Sequence, residues 1–443
     1  MLLLLGLDPD WKTCPASFRA VCSVCVTNRR HFLGALGVFG LGAVGVGGWK
    51  YWPEQGLINP CLSNLPRTAI HHPLMQSVWA GLDPAQVWDS HVHLAGGGDS
   101  SNGTWFSPDM DSLWHPLLRL QKLFYMNAAC VNETPHKLDA SYVARMLNLI
   151  ESMPAGFKAL LFAFDLFHDE AGKADKNLSI FYIPNQYAAQ VAHAHPAAFE
   201  WAASIHPYRA DCVEALQLAV REGARAVKWL PSAMGIDPLS SRCDLFYEAL
   251  AAADVPIISH AGRELAVQGG NRDFGNPLRL RRAMDHGVRV VIAHCASDGD
   301  DRDIDQGPNG PRVRSYKLFA RMMDEPRYAD KLHADISALT QFNRAWALKA
   351  VLQRDDWHPR LLNGSDYPLP GVMPLFSATD MANMGLLDPA AVSLLQEIRT
   401  HNPLLFDFSL KRLLRFDQHQ FPSSVFETRR FFERKITRHQ GIL

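Results

Sequence analysis

The sequence predicts an α/β protein: a (β/α)8 TIM barrel with an N-terminal leader or anchor and a C-terminal helical extension. From residue 87 onward, short apolar runs alternate with stretches of helical periodicity, the pattern of a parallel sheet covered by outer helices. Eight such units follow one another, and eight is the number that closes this type of barrel. Five of the runs, the first, fourth, fifth, sixth and eighth, end in a histidine, lysine or aspartate suited to one common site, and the active site of this fold lies at the strand ends.

The predicted strands are residues 87–93, 157–165, 199–206, 224–228, 255–260, 288–294, 332–335 and 360–366. The predicted helices are residues 141–153, 185–195, 211–222, 243–253, 277–286, 312–324, 342–353 and 390–400. We expect the barrel to cover residues 87–416 and residues 417–443 to form the extension, a terminal helix packed outside the barrel. Residues 53–86 contain five prolines and are predicted to be a linker that wraps onto the barrel.

Composition places the chain among ordinary globular proteins and excludes one class of partner. Of its 443 residues, 47% are hydrophobic and 20% are charged, which is enough apolar material for a large core. Lys and Arg (44) nearly balance Asp and Glu (45), so no basic field recruits nucleic acid. The eight cysteines are scattered along the chain, unlike the dense spacing of a disulfide framework.

Residues 1–52 have the pattern of a targeting sequence. Arg29 and Arg30, followed by His31, Phe32 and Leu33, resemble the twin-arginine export motif. Residues 32–49 behind them are uncharged and rich in glycine, and no small-residue cleavage site follows, so we favour an uncleaved anchor over a removed signal. We therefore expect the twin-arginine export machinery and the inner membrane as partners, and the bacterial periplasm as the location.

The cysteines fit that location without requiring it. An oxidising periplasm permits a disulfide among the later cysteines. Cys22 and Cys25 form a C-x-x-C motif, but no second cysteine pair accompanies it, so we assign it no zinc or redox role.

His91 and His93 stand one residue apart at the end of the first predicted strand. Because side chains alternate along a strand, both point to one side and can share a divalent metal. The polar residues that end later strands at the same mouth are Lys228, His260, His294 and Asp366. Four histidines and one aspartate in this arrangement predict a metal site.

One ordered set of residues carries a resemblance to a known family: Asp89, His91, His93, His260, His294 and Asp366. The set resembles the amidohydrolase superfamily of metal-dependent barrels. Three local phrases, at residues 223–231, 333–338 and 363–368, are similar to its amidohydrolase-related branch. That branch includes aminocarboxymuconate-semialdehyde decarboxylase-like and resorcylate decarboxylase-like enzymes, along with lactonases and other hydrolases. The resemblance covers roughly residues 85–410.

The resemblance implies a role for each member of the set. One divalent metal, expected to be Zn, would be held by His91, His93, His260 and Asp366. His294 would stay off the metal as an acid/base group, and Asp366 would also take a proton from the metal-activated water. Asp89 would accept a hydrogen bond that fixes the tautomer of a ligand histidine.

Lys228 leaves two arrangements open. In binuclear relatives a strand-4 lysine is carboxylated and bridges two metals, whereas mononuclear relatives often carry another residue there, or a lysine that contacts the substrate. We favour one ion, with two if Lys228 is carboxylated. An uncarboxylated Lys228 is a point charge suited to a substrate carboxylate, and Arg263, just past His260, is a second candidate for that role.

The function expected from this site is a metal-dependent hydrolase that uses a metal-activated water to cleave an amide, ester or lactone of a small organic substrate. One alternative is a non-oxidative decarboxylase (a lyase) of an aromatic or unsaturated carboxylic acid that uses the same metal site. Another is a membrane-tethered, non-catalytic binding protein. The sequence leaves open whether the chain forms a homo-oligomer.

Two loops around the mouth have their own patterns. Residues 94–139 carry five aromatics: Trp105, Phe106, Trp114, Phe124 and Tyr125. A loop of this length is usually functional, and these side chains either cover a ring-shaped substrate or pack on the barrel top. The acidic run at residues 298–305 lacks the closing Glu of a calcium loop, so we predict a solvated loop there.

Overall fold

The computed structural model describes residues 53–433, except residues 132, 133, 135, 266, 268 and 269. The predicted leader and anchor at residues 1–52, with the Cys22–Cys25 motif, lie outside the described residues, as do residues 434–443 of the extension. Within the described part, no helix combines the length and the apolar character needed to span a bilayer.

Eight parallel strands form the predicted barrel, so the expected fold class is confirmed. They are β1 Trp88–His93, β2 Lys158–Phe162, β3 Phe199–Ala202, β4 Val227–Trp229, β5 Ile257–Ser259, β6 Val290–Ile292, β7 Leu332–Asp335 and β8 Leu361–Leu362. Backbone hydrogen bonds join β1, β2 and β3 into one arc and β4 to β8 into another. Parallel bridges between Ala203 and Val227 and between Val92 and Tyr367 connect the arcs, which closes the sheet.

The eight outer helices lie where the periodicity predicts them, one after each strand. They are α1 Leu138–Glu151, α2 Asn185–Ala194, α3 Cys212–Arg221, α4 Asp244–Ala252, α5 Arg281–Asp285, α6 Ser315–Met323, α7 Leu348–Leu352 and α8 Val392–His401. Three of them, α5, α6 and α7, begin three or more residues later than predicted. The Asn276 side chain caps a 3₁₀ turn over Pro277–Leu280, Arg312–Arg314 pairs with Asp300–Arg302 as a hairpin, and Ala345–Ala347 forms a further 3₁₀ turn.

The described residues contain further helices and strands outside the eight β/α units. Additional helices are Arg67–Ile70, Pro73–Trp79, Pro116–Ala128, Pro231–Met234, Ala378–Asn383, Pro403–Leu413, Ser423–Phe426 and Arg429–Phe432. Short antiparallel pairs join Trp105–Phe106 to Phe181–Tyr182 and Phe167–His168 to Ala174–Asp175. The helix Pro116–Ala128 lies in the long loop after β1, so this loop has secondary structure of its own.

The acidic run after β6 is not the solvated loop that the sequence predicts. Asp298, Asp301 and Asp303 are buried. Their hydrogen-bonding partners are the Arg263 guanidinium, the Ser315 hydroxyl and the Arg321 guanidinium, respectively. The prediction fails because these partners come from other segments, and charge spacing along the run does not reveal them.

Residues 53–86 pack against the barrel. A disulfide joins Cys61 to Cys130, at the end of the helix Pro116–Ala128. The Trp79 ring stacks on Phe408 with centroids 4.4 Å apart. Cys212, Cys243 and Cys295 are buried free thiols.

Side chains from alternating strand positions fill the barrel interior. The interior cluster consists of Trp88, Leu160, Phe162, Ala202, Ala226, Ile258, Val291, Leu362 and Phe432. Trp88 opens β1 and therefore lies at the end opposite the strand C-termini. Phe432 is only 1% exposed there, with its ring stacked 6.2 Å from that of Trp88, and the Thr428 hydroxyl donates to the Trp88 carbonyl at 2.7 Å. The C-terminal extension thus closes the bottom of the barrel.

We predict that Phe432→Ala lowers the free energy of unfolding by about 3 kcal/mol, because it leaves a cavity under the barrel. Urea unfolding of the metal-free protein measures this change. Leu218→Ala, at a position that is 52% exposed, is the control and should change stability by less than about 0.5 kcal/mol. Equal effects of the two substitutions would show that Phe432 does not support the barrel.

Candidate metal centre

His91 and His93 meet Asp366 at the barrel mouth, as the sequence predicts. The Nε2 atoms of His91 and His93 lie 3.3 and 3.0 Å from the same carboxylate oxygen, Oδ1 of Asp366. His91 is fully buried and the His93 side chain is 26% exposed. One ligand atom from each of the three residues falls within 4.8 Å of the others, close enough for a single ion to contact all three.

The turn after β8 delivers Asp366 to this position. Asp366 adopts a left-handed backbone conformation (φ +63°), and its N–H donates to the His91 carbonyl at 2.8 Å. Gly364 lets the turn approach β1, since a Cβ on it would lie 2.5 Å from the His91 Cβ. The Lys411 ammonium donates to the Gly364 carbonyl at 2.6 Å, which anchors the turn from below.

Asp89 has a different role from the predicted one. Its Oδ1 accepts the backbone N–H groups of His91 and Ser365, at 3.2 and 2.8 Å. Burial raises the pKa of Asp89 to about 6, although these hydrogen bonds act in the opposite direction. Asp89 therefore joins β1 to the turn that carries Asp366. Its carboxylate does not set the tautomer of a ligand histidine.

Asp335 at the end of β7 sets that tautomer. The His91 Nδ1–H donates to Asp335 Oδ2 at 2.8 Å, which leaves the Nε2 lone pair facing Asp366. The other oxygen of Asp335 accepts the His294 backbone N–H at 2.9 Å and a short hydrogen bond from the Ser337 hydroxyl. A buried carboxylate that orients a metal-binding imidazole is the usual partner in such sites.

His294 lies next to His91, His93 and Asp366 but is not part of their close ligand group. Its Nδ1–H donates to the Ser337 carbonyl at 3.0 Å, so Nε2 carries the lone pair. Nε2 lies 3.7 Å from Asp366 Oδ2, the oxygen that the other two histidines do not contact. His91, His294 and Asp335 form a second close group, but hydrogen bonds already hold its members together.

The site has the protonation state that a divalent metal requires. Burial lowers the pKa of His91 to about 4, and the nearby Lys228 charge lowers it further. Burial also lowers the pKa of His294 well below its usual range. Burial alone would raise the pKa of Asp366, but interactions with His294, His91 and His93 hold it well below its usual range. Neutral imidazoles and an ionised carboxylate are the forms that coordinate a metal, so the residues fit one.

Lys228 projects from the middle of β4 into the same space. Its Nζ lies 3.1 Å from His91 Nε2 and 5.0 Å from the centre of the Phe162 ring. Burial lowers the pKa of Lys228 to about 8, although Asp335 and Asp366 act to raise it. The structure thus brings Lys228 to the site as the sequence predicts.

His260 and Arg263 take up other contacts. The His260 ring centre lies 5.3 Å from that of His294, but its Nε2 faces the Arg263 carbonyl at 3.3 Å and its Nδ1 faces Glu264 at 3.3 Å. Among the described residues, His260 joins neither of the close ligand groups. The Arg263 guanidinium pairs with Asp298 at 3.1 Å. Metal binding by His260 and substrate binding by Arg263 stay predictions.

The helix Pro116–Ala128 borders the mouth with some of the loop aromatics. Burial raises the pKa of the Tyr125 phenol, and the charges of Glu264 and Asp366 add to the shift, so Tyr125 lies within electrostatic reach of the site. Trp114, in contrast, is 89% exposed and therefore does not pack on the barrel top.

Sequence reasoning missed Asp335 and Ser337 as site residues. Both lie in the phrase at residues 333–338, where Asp335 ends the seventh predicted strand and Ser337 follows two residues later. The same rule that selected Asp366, a carboxylate at a strand end, would have selected Asp335.

A family model described as Amidohydrolase matches residues 88–393. Among curated proteins, no sequence matches the chain. Solved structures with a similar fold include an uncharacterized TIM-barrel protein of Bordetella bronchiseptica, which is 15% identical with a TM-score of 0.43 (72% of this chain and 99% of that one covered). A probable 2-pyrone-4,6-dicarboxylic acid hydrolase of Acinetobacter baumannii is 12% identical with a TM-score of 0.41 (72% and 96%). The 5-carboxyvanillate decarboxylase of Sphingomonas paucimobilis is 10% identical with a TM-score of 0.39 (74% and 99%).

We predict that Asp335→Asn weakens metal binding about 10- to 100-fold, because the His91 ring loses the carboxylate that orients it. Competition with a chromophoric chelator measures the affinity without any substrate. Asp356→Asn, at an exposed carboxylate, is the matched control and should leave the affinity unchanged. Wild-type affinity in Asp335→Asn would remove Asp335 from the site.

Proposed function

This chain belongs to the amidohydrolase family, and from that premise we propose that it is a metal-dependent hydrolase that cleaves an amide, ester or lactone of a small organic substrate. The observation that carries the proposal is the placement of the Asp366 carboxylate. One of its oxygens faces His91 and His93, and the other faces His294. A single carboxylate thus links the ligand candidates to a neutral base.

His91, His93 and Asp366 would hold the metal, with His260 as the fourth ligand that the family resemblance implies. A divalent metal there would polarise a substrate carbonyl and lower the pKa of water toward ~7. Asp366 Oδ2 would receive the proton released by the attacking water, since it is ionised and free of the other two histidines. His294 Nε2, at 3.7 Å from that oxygen, would act as the acid/base group that passes the proton to the leaving group.

A second candidate is a non-oxidative decarboxylase of an aromatic or unsaturated carboxylic acid. The buried Lys228 supports it, because its ammonium lies 3.1 Å from His91 Nε2 and could receive a carboxylate. The Arg263 charge supports it less, since Asp298 already neutralises that charge. Hydrolysis and decarboxylation differ in one product, CO₂.

Metal quantification followed by a substrate panel tests the proposal. We expect about one Zn, or another divalent ion, per chain. The panel contains lactones, esters, amides and aromatic carboxylic acids, with hydrolysis products and CO₂ measured in parallel. Release of CO₂ without a hydrolysed product would replace the hydrolase by the decarboxylase. A protein without metal, in which His91→Ala changes nothing, would support the non-catalytic binding protein instead.

We predict that His294→Gln lowers kcat at least about 100-fold, because the acid/base group is lost, while the metal content stays that of the wild type. Steady-state kinetics and metal analysis on the same preparation measure both quantities. His193→Gln, at an exposed histidine, is the matched control. A lower metal content in His294→Gln would reassign His294 as a ligand.

We also propose that twin-arginine export delivers the protein to the bacterial periplasm, with residues 32–49 as a membrane anchor. The Cys61–Cys130 disulfide supports this, because disulfides persist in oxidising compartments. The metal site supports it as well, since twin-arginine export carries folded proteins that already contain their cofactors.

We predict that replacing Arg29 and Arg30 with Lys retains the protein in the cytoplasm. Fractionation of cells that express the full chain measures its location, and alkylation of free thiols reports the Cys61–Cys130 bond. Replacing Arg327 and Arg354 with Lys in the barrel is the control. Export of the Arg29/Arg30 variant at the wild-type level would exclude the twin-arginine route.

A further inference from the structure

Arg344 is a buried cation at the barrel mouth that forms no ion pair with the described residues. It lies in the loop after β7 and is 7% exposed. Its only hydrogen bond to a described side chain runs from Nη1 to the Ser297 hydroxyl at 3.3 Å. Its Nε is buried without a hydrogen-bond acceptor in the described part of the chain. A buried charge in this state is costly unless a partner is bound.

The other two buried arginines of the described residues, Arg399 and Arg145, also form no ion pair, and Arg145 Nε is likewise buried without an acceptor, but both make more hydrogen bonds than Arg344 does. Arg399 donates to three backbone carbonyls, those of Pro370, Phe376 and Val372, at 2.7 to 2.9 Å. Arg145 donates to the Asn148 side chain and to backbone carbonyls. Both are structural cations whose hydrogen bonds hold segments together. Arg344, in contrast, makes a single long hydrogen bond to the Ser297 hydroxyl. This bond orients the guanidinium but leaves its other N–H groups without an acceptor among the described residues.

The neighbours of Arg344 in the same loop are also unsatisfied. Thr340 Oγ1 and Asn343 Oδ1 are buried atoms without a hydrogen-bond partner among the described residues. Native proteins leave few such atoms unpaired, and three of them fall within five residues of this loop.

This loop adjoins the metal centre. Ser297, which holds Arg344, follows the turn that carries His294, and Ser337 of the same β7 loop accepts from His294. Burial lowers the pKa of both His260 and His294, and the Arg344 charge lowers it further. Arg344 therefore acts electrostatically on His260 and His294 from the loop after β7.

We propose that Arg344 binds a carboxylate of the substrate and so selects an anionic substrate for the metal centre. The planar guanidinium matches an oxyanion with two parallel hydrogen bonds. Nη2 and the second N–H of Nη1 are available for them, because Nη1 donates only one hydrogen bond, to Ser297, whereas Nε is buried. The assignment deepens and rests on the proposed function, since it names the substrate class of the same site. It also differs from the expectation for Arg263, whose charge Asp298 already neutralises.

The test measures binding of unreactive probes to the full chain by calorimetry, both metal-loaded and after chelator treatment. The probes are benzoate, phenylphosphonate and neutral benzamide. We expect Arg344→Gln to weaken benzoate binding about tenfold or more in both preparations and to leave benzamide binding unchanged. Arg327→Gln, at an exposed arginine, is the matched control and should bind benzoate as the wild type does.

Several outcomes would overturn the assignment. Benzoate binding unchanged in Arg344→Gln would do so, and so would phenylphosphonate binding tighter than benzoate with the same dependence on Arg344. If Arg344→Gln does not fold, Arg344→Lys decides, because it keeps the charge and loses the fork. We expect Arg344→Lys to bind benzoate several-fold more weakly than the wild type, and unchanged binding would exclude the proposed two-point contact of the guanidinium with the carboxylate.

These results are independent of the proposed reaction, because the probes do not react. A protein that binds benzoate through Arg344 but hydrolyses nothing in the panel would disprove the hydrolase and leave the anion site intact. Once a substrate is known, Arg344→Gln should raise KM for the acid and leave KM for its neutral ester unchanged.

Discussion

The close approach of the turn after β8 to β1 is the constraint on which the metal centre depends. Gly364 permits that approach, since any Cβ there would collide with the Cβ of His91. Asp89 and Lys411 hold the turn from the two sides through backbone groups. Asp366 can then adopt its left-handed conformation and meet both histidines of β1. Asp366 reaches these histidines only when the first and last strands of the barrel lie side by side. Closing the barrel therefore also brings the candidate metal ligands together.

The second requirement is a set of neutral imidazoles in a buried site. Asp335 accepts the Nδ1–H of His91, and a backbone carbonyl accepts the Nδ1–H of His294. In both rings the Nε2 lone pair therefore faces Asp366. The buried Lys228 adds a positive charge that further disfavours protonation of His91. These contacts come from β4, β6 and β7 and converge on one strand end. A substitution in a distant strand can therefore disturb the centre as strongly as loss of a ligand.

Periodicity and strand-end polarity predicted the fold and most of the candidate site, because strand ends of a barrel converge whatever their separation along the chain. His91, His93, Lys228, His294 and Asp366 were found in this way. The side-chain partners were not, and Asp89 shows why. The pairing register of β1 with β2 shifts between Asp89 and Val92, so strict alternation does not describe this strand. Contacts such as Asp298 with Arg263 also depend on loop paths, which periodicity does not encode.

The hydrogen bonds of the buried arginines distinguish those that hold the structure together from the one with N–H groups left for a ligand. Phe432 closes the lower end of the barrel and the interior above it is apolar, so a substrate approaches from the strand C-termini. The arginine that holds segments together, Arg399, is saturated by backbone carbonyls. At the mouth, Arg344 keeps donor capacity that no described residue uses. The strands thus supply the chemistry, whereas the loop after β7 supplies an unsatisfied cation. If Arg344 binds a substrate carboxylate as proposed, substrate choice depends on that loop, where the sequence pattern is least informative.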